Sequence, residues 1–250
     1  MNLVMKFGGT SVSNIRKIKN VANIIATQRA QNDSVAVVVS AMGKTTNGLT
    51  HLAHRITDKP NKRELDALLS TGENTSVALL AIALNAIGCP AQSFSAWQLG
   101  IKTDNNFGDA QITDAGMINI QSSISLIMKC NIVPIITGFQ GVTENGDITT
   151  LGREGSDTSA VAVAAAWGAD FCDIYTDVCG VYDKDPNQFK DAKKFDFISY
   201  DDMLVMANNG AKVLHPRSVS TAQKYNVPIR VRGTFTPDDL GTLVAKTNQR

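Results

Sequence analysis

The chain has 250 residues, 43% of them hydrophobic and 19% charged, which is an ordinary globular composition with enough apolar side chain to bury a sizeable core. Its 24 Lys and Arg stand against 23 Asp and Glu, which excludes a global field for holding nucleic acid or an anionic membrane, so a bound anion needs a local site. The start MNLVMKFGG lacks the features of a secretory leader, no stretch reads as a bilayer span, and Cys89, Cys130, Cys172 and Cys179 lie at no metal-ligand or CxxC spacing, which gives the expectation of a reducing, cytoplasmic setting.

In chain order, LVMKF at 3–7 reads as a first buried strand, followed by helical spacing of Ile15, Ile18, Val21 and Ile25. SVAVVVS at 34–40 is a second strand, and Leu65, Leu68 and Leu69 keep helical period. NIVPIIT at 131–137 is a third strand, and GVTENGDITT carries Asn145-Gly146 between two β-prone arms, the signature of a tight hairpin. The small residues of TSAVAVAAAWG suggest a helix packed closely on a sheet, before further strands CDIYT at 172–176 and PIRV at 228–231. Strands alternating with helices predict an α/β protein with a largely parallel sheet.

The first strand ends in Lys6-Phe7-Gly8-Gly9-Thr10-Ser11, immediately before a helix. A glycine turn at a helix start offers free N–H groups and a positive dipole end with no Cβ in the way, which suits phosphate; a tight turn with a surface lysine is the plain alternative. Gly43-Lys44-Thr45 imitates the end of a P-loop, but the glycine needed five residues earlier is Val38, so that motif is rejected. Ser40-Ala41-Met42-Gly43 still closes a strand at its carboxyl end, where ligands gather in open α/β sheets. Thr149 to Ala160, TTLGREGSDTSA, joins a β-prone arm to a helix and brings Arg153, Ser156 and Asp157 within five positions. Arginine suits a planar carboxylate, whereas Ser156-Asp157 also reads as a helix N-cap. Thr176-Asp177-Val178-Cys179-Gly180-Val181-Tyr182-Asp183-Lys184-Asp185-Pro186 is a polar loop after a strand, able to hold a nucleoside or to be only a loop. Lys212 follows Gly210 just ahead of a helix start near Pro216.

Together, KFGGTSV, SAMG, Gly72-Glu73, TTLGREGSDTSA, YTDVCGVYDKDP, GAKVLHPRSV and GTLV resemble, in order and spacing from Lys6 to about Val244, the aspartate kinases of the amino acid kinase fold family. The resemblance implies a three-layer αβα sandwich with a largely parallel central sheet, forming one catalytic domain over 1–250, with an amino-acid-binding lobe at about 1–150 and an ATP-binding lobe at about 151–245. It implies that Lys6, Gly8, Gly9 and Thr10 cradle phosphate and that Lys6, Asp157 and Lys212 form the catalytic cluster. Ser40, Thr46, Glu73, Arg153 and Ser156 fall at amino-acid contacts, Glu73 on the ammonium and Arg153 on the α-carboxylate. Thr176, Asp177, Tyr182, Lys184, Pro186 and Lys212 fall where the family holds ATP, with Mg²⁺ carried mainly by the nucleotide. Three departures stand out: Glu154 where the family often has Gly, Cys179 where Asp is frequent, and Ser95-Ala96-Trp97-Gln98 before GIKTD.

The implied reaction phosphorylates L-aspartate on its β-carboxylate, giving 4-phospho-L-aspartate and ADP at the head of lysine, threonine and methionine synthesis. A carboxylate of pKa about 3.9 is already ionised at neutral pH, so no general base is needed and repulsion between two anions is the obstacle. Asp157 is then an organiser of lysines, and His51, His54 and His215 are unnecessary, His215 being a structural hydrogen-bonder. Rival readings are another enzyme of the same fold, acting on glutamate, acetylglutamate, a nucleotide or carbamate, and a non-catalytic nucleotide- or amino-acid-binding subunit. Many aspartate kinases continue past GTLV into lysine- or threonine-binding ACT domains, whereas AKTNQR follows here, so this polypeptide is expected to be insensitive to such feedback; a homodimer or other homo-oligomer is the expected assembly.

Overall fold

The computed structural model describes residues 1–32, 34–186, 188–210, 213–236 and 238–247. Its centre is an eight-stranded sheet of β1 (Asn2–Phe7), β2 (Ser34–Val39), β3 (Ala91–Phe94), β4 (Val133–Thr137), β7 (Phe171–Thr176), β8 (Phe197–Ser199), β9 (Ile229–Gly233) and β10 (Thr242–Ala245). They lie in the order β3-β4-β2-β1-β7-β9-β10-β8, all neighbours parallel except the antiparallel β9 and β10. A separate hairpin joins β5 (Gln140–Val142) to β6 (Ile148–Thr150), with Gly146 at φ 89° in its turn. That hairpin stands where Asn145-Gly146 predicts it.

Alternation along each strand divides the core into two. Leu3, Met5, Phe7, Val35, Val37, Val39 and Tyr175 face α1 (Ile15–Gln31) and α3 (Lys62–Ala86). Val4, Val38, Ile136, Cys172, Ile174 and Val231 face the other way, toward α4 (Asp114–Met128), α5 (Gly155–Trp167), α6 (Tyr200–Asn208) and α7 (Pro216–Tyr225). The expected αβα sandwich is therefore present. The central strands β1 and β2 are buried on both faces, which is why their sequences are nearly continuous Val, Leu and Met. In α5, ten consecutive residues from Gly155 to Ala164 are buried, because a surface of Gly, Ser and Ala lets β1, β2, α4 and α7 approach from several sides.

Two expectations need correction. The short, weakly alternating β3, β8 and β10, and the helices α4 and α6, were not among the predicted elements, since their patterns are brief or rich in Ser, Asn and Asp. Secondly, α3 is long and apolar enough, by length and composition, to cross a membrane, so the absence of any such stretch does not hold. Only its first leucines signalled a helix, yet it runs 25 residues, capped at its start by Asn61. It packs along α1, α2 (Thr45–His54), β3, β4 and β6, and it buries Asp66 and Glu73, which is the behaviour of a core helix.

Candidate active site

Because β1, β2, β4, β7 and β9 are parallel, their carboxyl ends and following loops gather on one edge of the sheet. Lys6 shares the α5-facing side of β1 with Val4, so its side chain is directed to the first turn of α5. There its Nζ pairs with Asp157 Oδ1 at 2.6 Å, both side chains being nearly buried. The same Nζ lies over Gly8, 3.5 Å from where a Cβ would stand. Gly9 is tighter still: a Cβ would meet Ala41 O at 2.8 Å and Gly43 O at 3.1 Å, so only glycine lets the β1–α1 loop lie against the Ser40–Gly43 loop. Gly43 N donates to Gly9 O at 3.0 Å across this contact, Ser40 N donates to Phe7 O, and Thr10 is exposed at the rim.

On the opposite face of the same edge, Gly72 lets α3 approach the Ser40–Gly43 loop and α2, where an added Cβ would fall 2.9 Å from Ala41 Cβ and 3.4 Å from Thr45 Cγ2. The next residue, Glu73, is 2% exposed. Its Oε1 accepts from Ala41 N at 3.0 Å, whereas its Oε2 is buried with no hydrogen-bond partner among the described residues. Burial raises its pKa to about 7. A buried carboxylate oxygen without a donor is costly unless a cation completes it. Thr46 is half-buried in the first turn of α2, the residue after Thr45, which packs against Gly72.

Ser156 packs against Gly138 at the end of β4, where a Cβ would lie 2.7 Å from its own. Arg153 is exposed in the turn before α5, and Glu154 follows it in the left-handed region at φ 53° and ψ 26°, its side chain making no cap. The segment is held from outside the predicted set. Arg217, second in α7, donates to Leu151 O at 2.8 Å and pairs with Asp109 at 2.5 Å. Asp66 accepts from Thr150 N, Thr150 Oγ1 and Gly108 N, so α3 anchors the hairpin and the 104–110 loop together. Neither role is visible in the sequence, because each partner is more than 40 residues away.

Beyond β7 opens a cavity of about 700 Å³. Thr176, Asp177, Tyr182, Lys184 and Pro186, the five described residues of the 176–186 loop expected at nucleotide, all line it. Met206 of α6 and Asn209, Gly210 and Val213 after it also line the cavity, a contribution that the loop sequence gave no hint of. Lys6 pairs in register with Ile174, two residues before Thr176, so the cavity and the Lys6–Asp157 pair are neighbours on adjacent strands. Lys212 lies outside the described residues. Among the described residues no three His, Cys, Asp or Glu side chains converge as a metal site.

Two of the three departures, at Cys179 and in the 95–98 segment, fall at the periphery, whereas Glu154 stands beside Asp157. Cys179 Sγ lies 2.9 Å from Thr236 Oγ1 and packs near Gly233 outside the cavity lining, and Gln98 Oε1 accepts from Ser95 while Trp97 is exposed. His51 and His54 are exposed on α2, and His215 Nδ1 accepts from Arg217 N as the N-cap of α7, the structural role expected of it.

The sequence profile of the Amino acid kinase family matches residues 1–233. Aspartokinase 2 of Bacillus subtilis (strain 168) is 51% identical over 242 residues, which is 97% of this chain and 58% of that protein. The chain thus spans under two thirds of the length of the curated relatives it matches. Among solved structures, aspartate kinase from Synechocystis superposes with a TM-score of 0.84 at 43% identity, covering 99% of this chain and 40% of that one. E. coli aspartokinase III in complex with aspartate and ADP gives a TM-score of 0.88 at 27% identity, covering 100% of this chain and 66% of that one.

Proposed function

The chain belongs to the amino acid kinase family, and from that premise we propose that it transfers the γ-phosphoryl group of ATP to the β-carboxylate of L-aspartate, releasing 4-phospho-L-aspartate and ADP. The observation carrying this reading is the placement, on one sheet edge, of a nucleotide-sized cavity, a lysine-carboxylate pair beside it, and a buried glutamate oxygen lacking a donor. The similarity to a protein solved with aspartate and ADP supports the same substrates here.

In this reading ATP lies in the cavity after β7, its base near Tyr182 and Pro186 and its phosphates reaching Lys6 and the Gly8-Gly9 turn, whose Gly8 N donates to Tyr175 O. The substrate ammonium completes Glu73 Oε2, with Thr46 and Ser40 beside it, and Arg153 and Ser156 take the α-carboxylate. Attack by an ionised carboxylate needs no proton acceptor, so the protein's task is positioning and charge neutralisation. Lys6 neutralises the transferring group, and Asp157 holds the Lys6 ammonium in place rather than accepting a proton. Lys212 is assigned the partner cationic role on sequence grounds. Mg²⁺ arrives on the nucleotide. Residues from about 1 to 150 supply the amino-acid lobe and about 151 to 245 the nucleotide lobe, in a cytoplasmic enzyme of amino-acid biosynthesis that forms a homodimer or other homo-oligomer.

The test is ADP release with hydroxylamine trapping of the acyl phosphate, run with aspartate and with glutamate. Aspartate-dependent hydroxamate with little from glutamate is expected. Nucleotide binding with no acyl phosphate from either would leave a non-catalytic binding subunit and overturn the proposal.

A further inference from the structure

The geometry points to Glu154 as a residue that weakens the hold of this site on its anionic substrate, setting the working range of aspartate without taking part in phosphoryl transfer. The inference rests on the kinase reading above. Glu154 occupies the N-cap position of α5 with φ 53°, a left-handed conformation that a non-glycine residue adopts at a cost, yet its side chain caps nothing. Its backbone carbonyl accepts from Asp157 N, which fixes it at the mouth of the anion site. Four charged or titratable groups bear on its carboxylate: Asp157 on α5, Lys6 from β1, Arg153 beside it, and His215 at the start of α7. Glu154, next to Arg153 in the chain and bonded through its carbonyl to Asp157 N, therefore adds a second negative charge in the field of the cations that an incoming carboxylate needs, where two anions must be brought together. Its exposure limits the effect to one of affinity at moderate ionic strength.

Glu154→Gln removes the charge and keeps the strained backbone, whereas Glu154→Gly removes both. Both variants are expected to lower KM for aspartate by about three- to fivefold with kcat within twofold, the gap from the parent narrowing as salt is raised. An unchanged or raised KM in Glu154→Gln would overturn the inference, as would a fall confined to Glu154→Gly, which would assign the effect to backbone release. If parent and variants alike show no aspartate-dependent ADP release, the kinase reading has failed; if all are active with equal KM, only the Glu154 inference has.

Discussion

At Glu73 burial has opposite consequences for stability and for binding. Its carboxyl, raised to about 7 from an ordinary 4.5, is protonated in the folded chain over a range where the unfolded chain has lost the proton. The folded state thus binds more protons between those values, so its stability falls as pH rises from about 4.5 to about 7 and is flat above. Glu73→Gln should consequently be more stable than the parent by on the order of 2 kcal/mol at pH 8 and little different at pH 5, read by thermal melts at the two pH values. Because an ammonium needs the ionised form, KM for aspartate should rise as pH drops below about 7 in the parent, and this dependence should vanish in Glu73→Gln, whose affinity is poor throughout. Lys6→Ala should cut kcat by about a hundredfold or more, the scale of losing one preorganised charge partner, with circular dichroism confirming the fold; near-normal turnover would remove Lys6 from the phosphate site. Arg153→Ala should act instead on aspartate KM, raising it tenfold or more in steady-state assays.

Among the elements, glycines decide how closely the loops and helices of the site approach. A methyl group at Gly9 would press on two backbone carbonyls that cannot swing aside, so Gly9→Ala should cost about 1–3 kcal/mol in urea melts and raise KM for ATP. Gly48 is the contrast: it lies inside α2 with nothing within 4 Å of an added Cβ. Gly48→Ala should stabilise the protein by about 0.5–1 kcal/mol and leave kcat unchanged. Helix α5 shows why the TTLGREGSDTSA segment was readable: its polar first turn and small-residue body both follow from the residues themselves. The residues steadying that segment, Arg217 and Asp66, were not readable, since their work is done on carbonyls and amides brought near by other elements.

Across the molecule the two ligands should reinforce folding from different faces of one sheet edge, nucleotide beside α6 and amino acid beside α2 and α3. Each should raise Tm separately, a nonhydrolysable ATP analogue at a hundredfold excess over its Kd contributing about 2.7 kcal/mol. A chain whose Tm responds to neither has no such sites. The alternating β and α pattern, the hairpin at Asn145-Gly146, and the glycine turns with their neighbouring lysine, arginine and carboxylate groups were determined by the sequence alone, because local periodicity and turn chemistry act over a few residues. Only the tertiary structure decided that Lys6 meets Asp157 across 151 positions, that Glu73 is left with a bare oxygen on the far face, and that Met206 walls the cavity. Those outcomes depend on which parallel strands become neighbours and which side of each is turned to a helix, and strand pairing and packing over long separations, rather than any local preference, fix both.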